Sequence, residues 1–167
     1  NKHGKVIGVT QVLNKRGGPF TGEDESRLRA FTAQISIALE NAKLFADVQN
    51  MKNYNEAMLE SMSNAVITLD EAEKIATCNA AGLRIFKSTA AQILHKPAAE
   101  FFSGSNAWVQ EKLKRVGETQ TSELAMEAEL MVGEEKLSVN LTALPLLSME
   151  KKRIGSMLML EDISSEK

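Results

Sequence analysis

The sequence predicts an α+β protein in which a long connecting helix precedes a five-stranded antiparallel sheet with flanking helices. Residues 24–63 contain neither proline nor glycine, and apolar side chains recur there at three- and four-residue steps, as they do in a helix. Residues 122–146 alternate apolar and polar side chains, which is typical of a half-buried antiparallel sheet. Two short apolar runs and a helical stretch lie between these regions and complete the α+β pattern.

Composition excludes several classes of function. A hydrophobic fraction of 43% is enough for a packed core, and with only 5% aromatic residues the core should be aliphatic rather than an aromatic cofactor cage. The formal charge of −2 gives no basic surface, so we expect no nucleic-acid partner. No apolar run approaches the roughly 18 residues of a membrane helix, so we expect no membrane partner. The single cysteine, Cys78, excludes an internal disulfide and fits a cytoplasmic protein.

The first part of the chain predicts a strand, a turn and the start of a helix. Residues 5–13 are β-branched and apolar, which favours a strand. Gly17, Gly18 and Pro19 then break it into a turn, and acidic residues follow where they complement the positive end of a helix dipole. Without its own sheet, we expect this strand to be disordered or to pair with another chain through its open edge.

The turn and helix start resemble a nucleotide-domain signature. The residues that carry this resemblance are Asn14, Lys15, Phe20, Asp24 and Glu25. In this order and spacing they resemble the signature of cyclic-nucleotide-binding GAF domains, which occur in mammalian phosphodiesterases and cyanobacterial adenylate cyclases. The alternative is an ordinary strand-to-helix turn with solvated charges.

That resemblance implies that residues 1–46 are the truncated C-terminal strand and helix of a GAF domain. It implies an ion pair between Lys15 and Asp24 that supports the nucleotide pocket without touching the ligand. Cyclic AMP would then be a ligand of the intact GAF domain in the parent protein. A buried phosphate needs paired donors or a helix N-terminus, and this chain supplies no complete set, so we expect it to bind no cofactor or nucleotide by itself.

Residues 24–63 predict a connecting helix of coiled-coil type. Some 40 residues of helix would extend about 60 Å, which is best explained by pairing with a second copy. The stripe slips by one residue between Phe45 and Val48, and Asn55 lies on it. We predict a parallel homodimer; two shorter helices broken near residues 49–54 are the alternative. The predicted dimer-helix residues are Leu28, Phe31, Ile35, Phe45, Val48, Met51, Met58 and Met62.

The second half of the chain predicts one complete domain. Asn79 is a candidate N-cap for the first short helix, and Pro97 interrupts the helical pieces that follow. Gly133 and Glu134 predict a hairpin turn. The predicted strands are residues 65–69, 74–78, 122–131, 136–146 and 154–160, with a helix over 106–116 before the last three.

This order of elements resembles a PAS domain over residues 54–164. The motif residues are Asp70 in the turn of the first hairpin, Asn79 at the first helix, and Asp162 and Ile163 at the end. Asp162, Ile163 and Ser164 resemble the Asp-Ile-Thr that commonly leads PAS domains into an output helix, with serine in place of threonine.

The interior of such a domain is either a ligand pocket or a solid core. Cys78 could form a flavin adduct and His95 could ligate haem, but a strand position for the first and an exposed loop for the second favour structural roles. We find no clustered metal ligands and no catalytic set in the sequence. The predicted lining residues are Ile67, Leu83, Phe86, Phe101, Phe102, Leu113, Met126, Leu141 and Met157.

These patterns together predict a regulatory fragment without catalytic residues. The order of a GAF signature, a helix and a PAS domain resembles the regulatory region of cyanobacterial GAF–PAS adenylate cyclases, whose cyclase domain would lie downstream. A sensory region of a histidine kinase, another GAF–PAS signalling protein and a PAS sensor of a small molecule are the alternatives.

Overall fold

A computed structural model describes residues 6–164 of the chain. Its residues fall into two units, one ending at Asn55 and the other beginning at Glu56. The helices are α1 (Gly22–Ser61), α2 (Ala80–Ile85), α3 (Ala90–Ile93), α4 (Ala98–Phe101) and α5 (Ala107–Thr119), with a 3₁₀ turn at Gly104–Asn106 before α5. The strands are β1 (Ala65–Leu69), β2 (Ile75–Cys78), β3 (Glu123–Val132), β4 (Glu135–Leu147) and β5 (Arg153–Asp162).

Helix α1 contains 40 residues and includes residues 49–54, where the alternative prediction placed a break. Its first turn carries Glu23, Asp24 and Glu25, which complement the positive end of the helix dipole. Ser61 is the last helical residue, so Met62, predicted to lie on the apolar stripe, falls just beyond the helix.

The residues that the structure describes do not form the strand predicted over residues 5–13, for which the prediction itself gave no sheet in this chain. Residues 6–13 have no regular secondary structure, and Lys5 lies outside the described residues. Val6 and Val9 are 78% and 91% exposed. A β-branched sequence becomes a strand only when a neighbouring strand accepts its backbone hydrogen bonds, and residues 6–13 have no such partner.

The second unit contains one five-stranded sheet with the order β2-β1-β5-β4-β3, in which every neighbouring pair is antiparallel. β5, the last strand in sequence, lies between β1 and β4. Ala65 pairs with Leu160 and Ile67 with Leu158, so β1 begins beside the end of β5. The predicted sheet and flanking helices are confirmed.

One face of the sheet and the helices between β2 and β3 form the hydrophobic core. From the sheet, Ile67, Leu141 and Leu158 are fully buried, and from the helical side Phe102 and Val109 are fully buried. Their alternation along each strand places every second residue on this inner face. The core belongs to the second unit alone, so this unit has the requirements of an independent domain.

A β-bulge in β3 changes which of its residues face the core. Ala125 pairs with Leu141 and Ala128 with Val139, so two residues of β3 oppose the single Asn140. Glu127 has a φ of 51°, which only a bulge or turn accommodates in a strand. Met126 is therefore on the outer face and 61% exposed.

Two predicted lining residues are thus corrected. Met126 was expected to face inward through simple alternation, which the bulge interrupts. Met157 pairs with Thr68 and Leu144, on the opposite face of β5 from the buried Leu158. Neither side chain lies on the core face.

Gly155 is required where β5 passes β1. A Cβ atom at this position would lie 2.1 Å from the carbonyl oxygen of Leu69, and the φ of 156° is one that side chains rarely adopt. We expect Gly155→Ala to separate the two strands and lower the free energy of unfolding by about 2 kcal/mol or more. Urea unfolding followed by circular dichroism measures this change.

Gly133→Asn is the matched control for this substitution. Gly133 has a φ of 61°, and a Cβ atom added to it would meet no other atom within 4 Å; asparagine tolerates that φ. If Gly155→Ala lowered the unfolding midpoint no more than Gly133→Asn, the close approach would not constrain the sheet.

Candidate functional site

The start of α1 is held by a reciprocal set of hydrogen bonds. The Thr21 backbone N–H donates to Asp24 Oδ2 at 2.8 Å, and the Asp24 backbone N–H donates to Thr21 Oγ1 at 3.4 Å. This is a capping box with aspartate in the third helical position. Lys15 Nζ also donates to Asp24 Oδ2, so the structure brings together the two residues that the GAF resemblance pairs.

Asp24 is the charged centre of this turn. The Lys15 ammonium, then the backbone N–H and hydroxyl of Thr21, hold the pKa of Asp24 well below its usual range. The carboxylate favours the folded turn above the ordinary pKa of aspartate, and that contribution is lost as the pH falls below it. Because Asp24 is solvent-accessible, the ion pair adds little to global stability and mainly fixes the path of the turn.

The remaining motif residues of this region do not join the Lys15–Asp24 pair. Asn14 is exposed with a left-handed φ of 60°, and Phe20 is 52% exposed. Glu25 forms an ion pair with Arg29, one turn along α1, at 2.8 Å. An open concave surface lies beside the turn, bordered by apolar side chains that include Leu13, Phe20, Leu28 and Phe31.

Helix α1 presents its apolar side chains to solvent. None of its 40 residues, all within the described part of the chain, is buried. Phe45, Val48 and Met51 are 73%, 66% and 65% exposed, whereas Leu28 and Ile35 are half-buried. Phe31 and Met58 are also exposed. This row of large apolar side chains is an unpartnered helix surface in the single chain.

Most of the predicted pocket-lining residues pack into the core of the second unit. Phe86, Phe101 and Phe102 form an edge-to-face cluster, with ring centroids 4.9 to 5.9 Å apart. Phe102 is fully buried, and the other two rings are half-buried against the same core. The remaining predicted residues in this core are Ile67, Leu83, Leu113 and Leu141.

The motif residues at the two ends of the domain shape its turns. Asp70 Oδ1 accepts hydrogen bonds from the backbone N–H groups of Ala72 and Lys74, both at 2.9 Å, and so closes the β1–β2 turn. Asp162 Oδ1 accepts from the Ser164 backbone N–H at 2.9 Å, and the Ile163 backbone N–H donates to the carbonyl of Ser138. The last described residues are therefore tied to β4.

Asn79 joins four segments of the second unit. As predicted, it is the N-cap of α2: its Oδ1 accepts from the backbone N–H of Gly82 at 2.9 Å. The same oxygen accepts from the backbone N–H of Val66 at 2.9 Å. Its Nδ2 donates to the carbonyls of Leu59, in α1, and Asn64, each at 3.0 Å. With only 3% of its surface exposed, Asn79 satisfies both amide protons and both oxygen lone pairs.

A second contact at this point was not predicted from the sequence. Glu60, in the last turn of α1, accepts a hydrogen bond from the backbone N–H of Ala80, the first residue of α2, at 2.8 Å. Nothing in the spacing of Glu60 distinguished it from the other charged residues of the helix. Only the tertiary arrangement brings it to α2.

Cys78 lies in strand β2 and His95 in an exposed loop, as the interpretation of both as structural residues predicted. Burial, with a smaller contribution from the Glu60 carboxylate, raises the pKa of Cys78 from 9.0 to about 11. The thiol is therefore protonated at neutral pH, which disfavours nucleophilic chemistry. His95 is exposed in a loop with a left-handed φ of 66°.

Residues 6–164 contain no cluster of three or more His, Cys, Asp or Glu side chains placed to hold a metal ion. Within the same range, no helix has the length and hydropathy needed to span a membrane.

A family model described as PAS fold matches residues 53–163. The chain is similar to the PAS domain of a Colwellia psychrerythraea protein, with a TM-score of 0.58 at 11% identity, covering 69% of this chain and 98% of that one. It is also similar to a sensory box sensor histidine kinase of Vibrio cholerae, with a TM-score of 0.53 at 15% identity, covering 74% and 98%. At such low identities these likenesses establish the fold alone.

Two curated relatives are cyclic-nucleotide phosphodiesterases. The chain is 34% identical over 73 residues to the probable 3',5'-cyclic phosphodiesterase pde-5 of Caenorhabditis elegans, covering 43% of this chain and 10% of the relative. It is 35% identical over 77 residues to the dual 3',5'-cyclic-AMP and -GMP phosphodiesterase 11A of Takifugu rubripes, covering 45% and 8%. The matched part is thus about a tenth or less of each relative.

The shifted pKa of Cys78 predicts slow alkylation. At pH 9 about 1% of this thiol would be ionised, against half of an ordinary thiol, so we expect iodoacetamide to react about fifty-fold more slowly than with free cysteine. The rate should rise with an apparent pKa of about 11. The free energy of unfolding should fall over the same interval, from pH 9.0 to about 11, because the unfolded chain loses the proton first.

The urea-unfolded chain is the control for this measurement, since Cys78 is the single cysteine of the sequence and no other thiol reacts. An apparent pKa of 9 or lower in the native protein would contradict the burial of Cys78 beside Glu60.

Proposed function

Because this chain belongs to the PAS fold family, we propose that it is a signal-transducing regulatory fragment of a cyclic-nucleotide-responsive adenylate cyclase. In this proposal residues 1–46 are the end of a GAF domain, residues 24–63 are the connecting helix, and residues 54–164 are the PAS domain. The catalytic domain follows this chain in the parent protein. The observation that carries the proposal is the pairing of Lys15 with Asp24 in the turn before α1, in a chain whose residues 53–163 match the PAS fold.

The turn at the start of α1 supports the nucleotide-responsive part of the proposal. Lys15 and Asp24 are in contact, and Asp24 also receives two hydrogen bonds from Thr21. This arrangement stiffens the turn beside the concave surface without using Asp24 as a ligand group. The curated relatives named above act on cyclic nucleotides, as their names state. We infer that cyclic AMP binds to the intact GAF domain of the parent and not to this chain.

The exposed surface of α1 supports a parallel homodimer. A long helix with large apolar side chains at near-heptad spacing is stable in water when a second helix covers them. The spacing of Phe31, Ile35 and Phe45 is self-complementary, because the same row on a second copy faces it in a parallel pair. A parallel arrangement also places two GAF ends together and two PAS domains together, as a transmitter requires.

Signal transmission then follows from differences in affinity. A ligand shifts a two-state helix pair only to the extent that it binds one state better than the other. Coupling of this kind typically amounts to about 1–3 kcal/mol, or about 5- to 150-fold in affinity, and it is reciprocal. The PAS domain would relay or tune that shift toward the catalytic domain.

Self-association through α1 is tested with charges on the apolar row. We expect the native chain to be a dimer at tens of micromolar, and Phe45→Glu combined with Val48→Glu to raise the dimer dissociation constant at least about a hundred-fold. Sedimentation equilibrium measures the constant. Asn50→Glu adds one such charge on another side of α1 and should leave the dissociation constant within about three-fold.

If the native chain were monomeric, the dimeric helix would be excluded. The same would follow if Asn50→Glu raised the dimer dissociation constant as much as the paired substitution does.

The output is tested on the full-length protein that contains this chain. We expect it to make cyclic AMP from ATP, and added cyclic AMP to change the rate at least about five-fold. Lys15→Met should reduce that response. Arg29→Met is the matched control, because it also removes a cation paired with a carboxylate of the first turn of α1, yet borders neither the Lys15–Asp24 turn nor the concave surface beside it.

Failure of cyclic AMP to change the rate would contradict the nucleotide-responsive part. Phosphorylation of a histidine from ATP, without cyclic AMP synthesis, would support the alternative of a histidine-kinase sensory region. The PAS fold, which this chain shares with the sensor histidine kinase of Vibrio cholerae, is compatible with that alternative.

A further inference from the structure

We propose that the last turn of α1 is a reversible latch on the PAS domain, closed by the Asn79 side-chain amide and by Glu60. Opening the latch would free the end of α1 and uncover Cys78 while the sheet stays folded. This inference goes beyond the proposed function, because it concerns the second unit alone and holds whatever catalytic domain follows.

The latch consists of two reciprocal caps. The carbonyl of Leu59 is among the last four of α1, which lack an intrahelical donor. It accepts from the backbone N–H of Met62, just beyond the helix, at 3.3 Å and from Asn79 Nδ2 at 3.0 Å. The backbone N–H of Ala80 begins α2 and also lacks an intrahelical acceptor, and Glu60 accepts its hydrogen bond at 2.8 Å. The N-cap residue of α2 therefore donates to the end of α1, and the last turn of α1 accepts from the start of α2.

The planar amide of Asn79 couples the latch to the positions of β1 and α2. Its oxygen is held by Val66, in β1, and by Gly82, in α2. Its nitrogen is held by Leu59 and Asn64. Because oxygen and nitrogen belong to one rigid group, a rotation that follows α2 or β1 moves the amide nitrogen away from the carbonyl of Leu59, in α1, and from that of Asn64, which follows α1. A displacement of α2 is thus converted into release of the helix end.

Cys78 reports whether the latch is closed. Glu56, Leu59 and Glu60, in the last turns of α1, border the same concave surface as Cys78. On its other side the thiol packs against α2, where a Cβ on Gly82 would lie 2.6 Å from Cys78 Sγ. Release of α1 would therefore open one side of the thiol to solvent without disturbing its contact with α2.

The decisive variant is Asn79→Asp in the whole 167-residue chain. It keeps an oxygen for Val66 and Gly82 but turns the donor into a second oxygen, which faces two carbonyl oxygens. The added negative charge disfavours the thiolate, so faster alkylation can arise only from greater exposure. We expect the iodoacetamide rate at pH 8 to rise at least about ten-fold.

Asn106→Asp is the matched control. Asn106 also donates from Nδ2 to a carbonyl and accepts a backbone N–H with Oδ1, both from Met131 at 2.8 Å. The same chemical change there destabilises the domain without touching α1. We expect it to change the Cys78 rate by less than about two-fold.

If Asn79→Asp does not fold, as judged by the absence of a cooperative unfolding transition, a second pair of variants tests the latch. Glu60→Gln keeps an acceptor for Ala80 and removes the charge, whereas Glu60→Ala removes both. A Cys78 rate at least about three-fold higher in Glu60→Ala than in Glu60→Gln supports the latch. Equal rates in that pair, or a folded Asn79→Asp with an unchanged rate, overturn it.

Discussion

The pairing of β5 with β1 and β4 is the constraint on which the second unit depends. β5 is the last strand to be made, yet it occupies the centre of the sheet, and it approaches β1 so closely that Gly155 has no room for a side chain. The buried residues Ile67, Leu141 and Leu158 belong to three different strands and meet on one face only when this register is correct. The core, the helices over it and the position of Asn79 all follow from that register.

Helix α1 differs along its length in what surrounds it. Toward its start it is capped by Thr21 and Asp24. Along its middle, large side chains such as Phe45 are exposed to solvent. In its last turn, polar contacts with Asn79 and Ala80 replace apolar packing. Hydrogen bonds require a defined distance and angle, so they fix the position of this turn of α1. Apolar contacts are not directional, so a helix packed only through them could shift along its partner.

Much of the second unit could be predicted from local patterns. The strand alternation, the turn at Gly133 and the N-cap at Asn79 depend on residues close together in sequence, and the structure has all three. What could not be predicted depends on partners elsewhere. Met126 faces outward because a bulge opposite Asn140 shifts the alternation of β3.

Among the functional residues, too, contacts with sequence neighbours could be predicted and contacts with distant residues could not. The amide of Asn79 was recognised as a cap for α2, which lies immediately after it. Its two bonds back to Leu59 and Asn64 join residues 20 and 15 positions away, and sequence spacing gives no sign of them. The contact of Glu60 with Ala80 is of the same kind.

The adjacency of Ala65 and Leu160 has a consequence for how such a unit is carried in longer chains. The backbone comes in on β1 and goes out on the neighbouring β5, so its two connections are about one strand spacing, roughly 5 Å, apart. When the chain enters and leaves a domain at neighbouring points, inserting that domain between two others changes the distance between those two domains little.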